Sequence, residues 1–149
     1  MSGTDPFDLE RFVAAQEGIY ETALAELRRG QKDTHWMWFI FPQIRGLGSS
    51  AMALKYAIGS RDEAAAYLKH PILGPRLIEC CKALMNVQGK TATEIMGYPD
   101  DLKLRSSMTL FAAVAAEKSL FSEVIEKYFE GESDARTLAA LADAPENHR

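Results

Sequence analysis

Both tryptophans of the chain, Trp36 and Trp38, stand in a run of six apolar side chains that ends at Phe41. An indole carries a large apolar area and one N–H that needs a partner when buried. Two of them so close together oblige the fold to enclose this stretch, either as the middle of a core or as the wall of a pocket. His35 precedes the run, and Pro42, Gln43, Arg45, Gly46 and Gly48 follow it, so costly apolar groups sit beside groups able to contact a polar ligand. Periodicity cannot assign an all-apolar run of this length. It reads as a short extended segment over Trp36 to Phe41 or as a helical turn.

The rest of the chain is written in helical punctuation. Asp5-Pro6 with Asp8 gives an N-cap, a proline at the first helical position and an early acid. Phe12, Ala15, Ile19, Tyr20, Ala23, Leu24 and Leu27 then recur at three- and four-residue steps until Gly30. Ser49 and Ser50 can cap a short helix that ends at Gly59. Ser60-Arg61-Asp62-Glu63 and Thr91-Ala92-Thr93-Glu94 are capping boxes. Leu77, Ile78, Cys81, Leu84 and Met85 form a stripe that stops near Gly89. Leu102 to Val114 and Phe121 to Phe129 predict two further helices, and Asp134 caps a last one through Leu138 and Leu141. With few period-two runs and no repeat, the expectation is an all-α fold of about seven to eight helices of mixed length.

The chain has 149 residues, enough for one domain over residues 1–149 with its own core, and residues 143–149 read as a polar, frayed tail. A formal charge of −4 provides no basic face, so double-stranded nucleic acid is not an expected partner. Cys80 and Cys81, the only cysteines, are adjacent within a helical pattern and read as reduced thiols. The opening residues show no charged n-region or apolar h-region, and no apolar run is long enough to span a bilayer. The expected compartment is the cytoplasm, with no membrane association. A homodimer is expected only at the base rate for small proteins.

Several constellations bear on chemistry. Gly46-Leu47-Gly48-Ser49-Ser50-Ala51 matches the dinucleotide pattern G-x-G-x-x-A, but a proline separates it from the preceding apolar run and no second strand with a terminal acid follows, so the context that the motif requires is missing. The glycines could still turn backbone N–H groups toward an anion beside Arg45, against the plainer reading of a loop and an N-cap. His35 and His70 are the candidate acid–base residues, each at an element boundary where a ring can equally bind a backbone carbonyl. Neither has a partner at ligand spacing, so no metal is expected. Lys103, Arg105, Ser106, Ser107 and Thr109 crowd the first turns of one helix, where cations oppose the macrodipole and an anion would relieve them. A solvated face is the alternative there.

The segments Asp5-Pro6-Phe7-Asp8-Leu9-x-Arg11-Phe12, His35-Trp36-Met37-Trp38-Phe39-Ile40-Phe41-Pro42-Gln43, His70-Pro71-x-Leu73-Gly74-x-Arg76-Leu77, Lys103-Leu104-x-Ser106-Ser107-Met108-Thr109-Leu110-Phe111 and Asp134-x-x-Thr137-Leu138 together resemble the bacterial family called domain of unknown function 1810. The resemblance runs through nearly the whole chain in order. It implies a small, mainly helical, single-domain protein and supplies no activity. Some members carry the label calpastatin, but the inhibitor of that name is a disordered low-complexity chain, whereas capped amphipathic helices like these require a core.

The leading functional reading is a small-molecule pocket for a phosphate- or nucleotide-like anion. Trp36 and Trp38 would wall it, and Gln43, Arg45, Arg76, Lys103 and Ser106 would contact the ligand. His35 or His70 would be the acid–base group if chemistry occurs. Reaction and cofactor stay unassigned. The alternative is a protein–protein interaction module without catalysis, anchored by the same aromatics. A weaker third reading stacks single-stranded nucleic acid on those rings, against the acidic balance.

Overall fold

The computed structural model describes residues 5–116 and 118–143. They form ten helices: α1 (Glu10–Gln16), α2 (Tyr20–Arg28), α3 (Met37–Ile40), α4 (Ala51–Lys55), α5 (Arg61–Lys69), α6 (Leu73–Asn86), α7 (Ala92–Met96), α8 (Asp100–Val114), α9 (Leu120–Phe129) and α10 (Ala135–Asp143). The class is all-helical as expected, but the count is ten and not seven to eight. Two features account for the difference. The stripe from Phe12 to Leu27 belongs to two helices, because Gly18 takes φ +71° and turns the chain, leaving Ile19 exposed. The run Trp36 to Phe41 is a turn of helix and not an extended segment.

That turn settles its backbone locally. Ile40 N–H donates to the Trp36 carbonyl and Phe41 N–H to that of Met37, each at 3.1 Å. The buried Gln16 side chain donates to the Phe39 carbonyl at 2.8 Å. With no strand beside it among the described residues, an extended conformation would leave these groups unpaired inside the core. The chain extends just afterwards, where Ile44 and Ile58 form an isolated parallel bridge.

The caps behave largely as their residue types dictate. Thr91 and Glu94 make a reciprocal capping box on α7. Ser50 and Ser60 accept from Ala53 and Glu63 N–H. Glu63 departs from the box pattern: its carboxylate takes Gly59 N–H at 2.8 Å and the Arg11 guanidinium at 2.9 Å. Asp5 accepts from Leu9 and Glu10 N–H at 2.8 and 2.9 Å, so it caps α1 from a turn that contains Pro6 and does not place Pro6 in the helix. Of the expected tail over residues 143–149, Asp143 ends α10 and the rest lies outside the described residues.

The core is built on α6 and α8. Leu73, Leu77, Cys81 and Leu84 make the buried stripe of α6, and Leu104, Met108 and Phe111 that of α8. α2, α5 and α9 pack on α6, while α5, α7, α9 and α10 pack on α8. A line of rings, Phe12 to Tyr67 at 5.2 Å, Tyr67 to Phe111 at 5.3 Å and Phe111 to Phe121 at 5.7 Å, ties α1, α5, α8 and α9 together. Arg11 fastens α1 to the segment from Lys55 to Glu63. Its guanidinium donates to the carbonyls of Phe7, Asp8, Lys55 and Ala57 and to Glu63, at 2.7 to 2.9 Å.

Two helices approach closely at Gly74, where a Cβ would stand 2.2 Å from the Leu68 carbonyl oxygen. Alanine is the better helix former by about 1 kcal/mol, yet here a backbone atom blocks it. Gly74→Ala is expected to destabilise the protein by on the order of 1–3 kcal/mol in urea unfolding, and a neutral or stabilising effect would contradict the close α5–α6 packing.

Candidate functional site

The geometry of the site begins with a buried carboxylate. Glu26, at the end of α2, is 2 % exposed. It accepts hydrogen bonds from Asp33 N–H at 2.8 Å, Thr34 N–H at 3.1 Å, the Thr34 hydroxyl at 2.7 Å and the Trp36 indole N–H at 2.8 Å. Burial alone would raise this carboxyl, but the Thr34, Asp33 and Trp36 donors reverse that and hold it down at about 2. Lys32 closes the same loop, donating to the Thr34 carbonyl at 2.7 Å with its ammonium 4.9 Å from the Trp36 ring centre. Trp36 is thereby fixed inside the core. Two residues on, Trp38 emerges half-buried on the other side of the α3 turn.

Trp38 forms one wall of a cleft of about 390 Å³ between the segment 43–57 and the face formed by α8 and the start of α10. Ile44, Leu47, Tyr56 and Leu102 supply apolar surface, and Gln43, Lys103, Arg105, Ser106, Asp134 and Arg136 supply polar groups. The Lys103 ammonium lies 4.0 Å from the Trp38 ring centre and 3.4 Å from Asp100, whose other oxygen pairs with Lys32 at 2.8 Å. Asp100 therefore offsets the cost of a cation at the helix start. Arg105 donates through Nε to the Glu132 carbonyl at 2.8 Å and through Nη2 to the Ser133 carbonyl at 3.1 Å and the exposed Glu132 carboxylate at 3.4 Å. Arg136 donates through Nη2 to the Leu47 carbonyl at 2.9 Å. Among the described residues Nη1 of either arginine has no partner, so both guanidiniums are anchored at one edge and open at the other.

Asp134 caps α10. Its Oδ2 accepts from Thr137 N–H at 3.1 Å, the Thr137 hydroxyl at 2.5 Å and the Ser106 hydroxyl at 2.9 Å. Burial would raise this carboxyl, but those hydrogen bonds and the charge of Arg105 hold it below the ordinary aspartate range.

The structure thus brings Trp38, Gln43, Lys103 and Ser106 to one cleft and places the other sequence candidates elsewhere. Trp36 is a core residue. Arg45 is exposed, with its guanidinium near Gly59. Arg76 lies 4.7 Å from the Tyr20 ring centre and donates to Gln16 at 3.1 Å. His35 is exposed before the aromatic turn. His70 closes α5 and accepts from Ile72 and Leu73 N–H through Nδ1 at 3.1 and 3.2 Å, which caps the start of α6. The glycine-rich segment serves as cleft rim and as lead-in to α4, whose first turn Ser50 caps. Among the polar and aromatic residues of the cleft, Tyr56, Asp134 and Arg136 are those that sequence reading did not place there. Only the cap at Asp134 left a local signal.

Residues 6–141 match the family described as protein of unknown function (DUF1810). The chain belongs to that family. Its fold is that of the conserved hypothetical protein Rv1873 from Mycobacterium tuberculosis, whose crystal structure superposes with a TM-score of 0.91 at 55% identity, covering 93% of this chain and 99% of that one. No curated protein matches the chain.

As it stands, the DUF1810 cleft holds cations, hydrogen-bond acceptors and an aromatic wall, and neither histidine nor cysteine is among its described residues. Cys80 and Cys81 are buried in α6; burial pushes the Cys80 thiol up to about 12 and Cys81 well above the usual range. Among the described residues no group of three or more His, Cys, Asp or Glu is placed to hold a metal ion, and no helix is long and apolar enough to cross a membrane.

Glu26 makes the support of this site measurable. Its folded value of about 2 lies below the ordinary 4.5, so its contribution is complete above that value and is lost as the pH falls toward 2. The span corresponds to about 3 kcal/mol at neutral pH. Glu26→Gln should lower stability at pH 7 by on the order of that amount and should flatten the acid limb of the stability curve. An unchanged acid limb would show that the carboxylate does not hold the loop.

Proposed function

We propose that the cleft binds a small phosphate-bearing, nucleotide-like molecule. The observation that carries this is the convergence of Lys103, Arg105 and Arg136 beside Trp38 and Tyr56 in one cleft. Guanidiniums tethered by carbonyls at one edge lose little freedom when the other edge meets an anion, and a planar fork suits phosphate oxygens. Half-apolar walls around a few aimed polar groups are usual for small-molecule sites. A volume of about 390 Å³ is near the low end for such sites, which favours a ligand of mononucleotide size over a dinucleotide. An interaction module anchored by both indoles finds less support, because Trp36 is 0 % exposed and Trp38 is half-buried.

The Lys103 ammonium covers part of the Trp38 ring. In this reading, an arriving phosphate draws the ammonium toward itself and leaves the indole face for the flat part of the ligand.

The test is thermal unfolding with nucleoside monophosphates, sugar phosphates and inorganic phosphate. Saturation at a hundredfold over Kd adds about 2.7 kcal/mol, so Tm should rise by on the order of 5 °C. Lys103→Ala and Arg136→Ala should fold and lose most of that rise. No rise with any phosphate compound, or a full rise in both variants, would refute the proposal.

A further inference from the structure

We infer that Asp134 reads hydroxyl groups of the ligand, so that the cleft takes a phosphorylated ribose, free or within a mononucleotide, in preference to bare phosphate. This rests on the anion-binding reading above and adds to it the chemistry of the uncharged part of the ligand. A cleft whose cations are Lys103, Arg105 and Arg136 also contains a carboxylate held ionised, and that charge weakens the binding of any simple anion.

Capping α10 does not demand it. The cap needs one acceptor for Thr137 N–H, which Asn or Ser supplies as well as Asp. Here Oδ2 alone takes that bond together with both hydroxyls, from Thr137 and Ser106, and among the described residues Oδ1 has no partner. A carboxylate accepts on both oxygens. With Oδ2 saturated, the carboxylate is fixed in orientation and its second oxygen remains to accept from a donor in the cleft.

The donor must lie close to the anionic group of the same ligand, because Arg136 is two residues along the same helix start and Arg105 is bound to the carbonyl of Ser133, next to Asp134. A sugar hydroxyl a few bonds from a phosphate meets that requirement. Carboxylate-to-ribose hydroxyl contacts are also an established way for proteins to bind ribose.

Titration calorimetry on the full chain tests this with ribose phosphate, adenosine monophosphate, its dideoxyribose analogue and inorganic phosphate. The wild type should bind the ribose compounds on the order of tenfold more tightly than the dideoxy analogue and inorganic phosphate. Ribose phosphate binding as well as the nucleotide would place the source among sugar phosphates; the nucleotide binding better would place it among nucleotides. Asp134→Asn keeps a capping side chain, and with it the gap should close while inorganic phosphate binds more tightly. Equal binding of ribose and dideoxyribose ligands by the wild type would overturn the role of Asp134 and leave the anion site standing. No binding of any of the four would overturn both.

Discussion

The buried carboxylate of Glu26 is the constraint on which the rest of the site depends. It gathers four donors from residues 33 to 36 onto the end of α2 and stays ionised while doing so. A buried charge without partners is costly, and one that receives this many hydrogen bonds becomes a fixed point. With the loop fixed and the Trp36 indole pinned, the register of the α3 turn is set. That register sends Trp36, Met37, Ile40 and Phe41 inward and leaves Trp38 at the surface of the cleft.

Core and cleft are also joined electrostatically. Lys32, lying against Trp36, shares Asp100 with Lys103, and Lys103 lies against Trp38. The two indoles are thus linked through alternating charges across α8. On the opposite wall the same economy holds: Arg105 and Arg136 use carbonyls of the 132–133 and 47 positions both to fix the loops and to orient their own free edges.

Much of the fold was legible because capping chemistry is local. Ser50, Ser60, Thr91 and Asp134 each announce a helix start by a side chain that reaches a backbone N–H three residues on. The break at Gly18 was not legible, since the apolar spacing continues across it from Ala15 to Ala23 and a single glycine is tolerated inside a helix. The aromatic turn was ambiguous because its apolar run has no period. The lining of the cleft was half legible. Trp38, Gln43, Lys103 and Ser106 come from stretches rich in chemistry-bearing residues and do line the cleft. Arg76 and His70 come from equally rich stretches and serve α1, α2 and the α5–α6 junction instead. Arg136 bonds a carbonyl 89 positions away, a relation that leaves no trace in local pattern.

The cleft between the 43–57 segment and the α8–α10 face is proposed as the binding surface of this protein. Amide and indole chemical-shift mapping during titration with adenosine monophosphate tests it most directly. Shifts are expected at the Trp38 indole N–H and at the amides of Gln43, Gly46 to Gly48, Lys103 to Ser106 and Asp134 to Arg136, with the Trp36 indole little changed. Shifts confined to the second groove, lined by Arg28, Glu79 and Lys82 along α2 and α6, or none at all at saturating nucleotide, would contradict it.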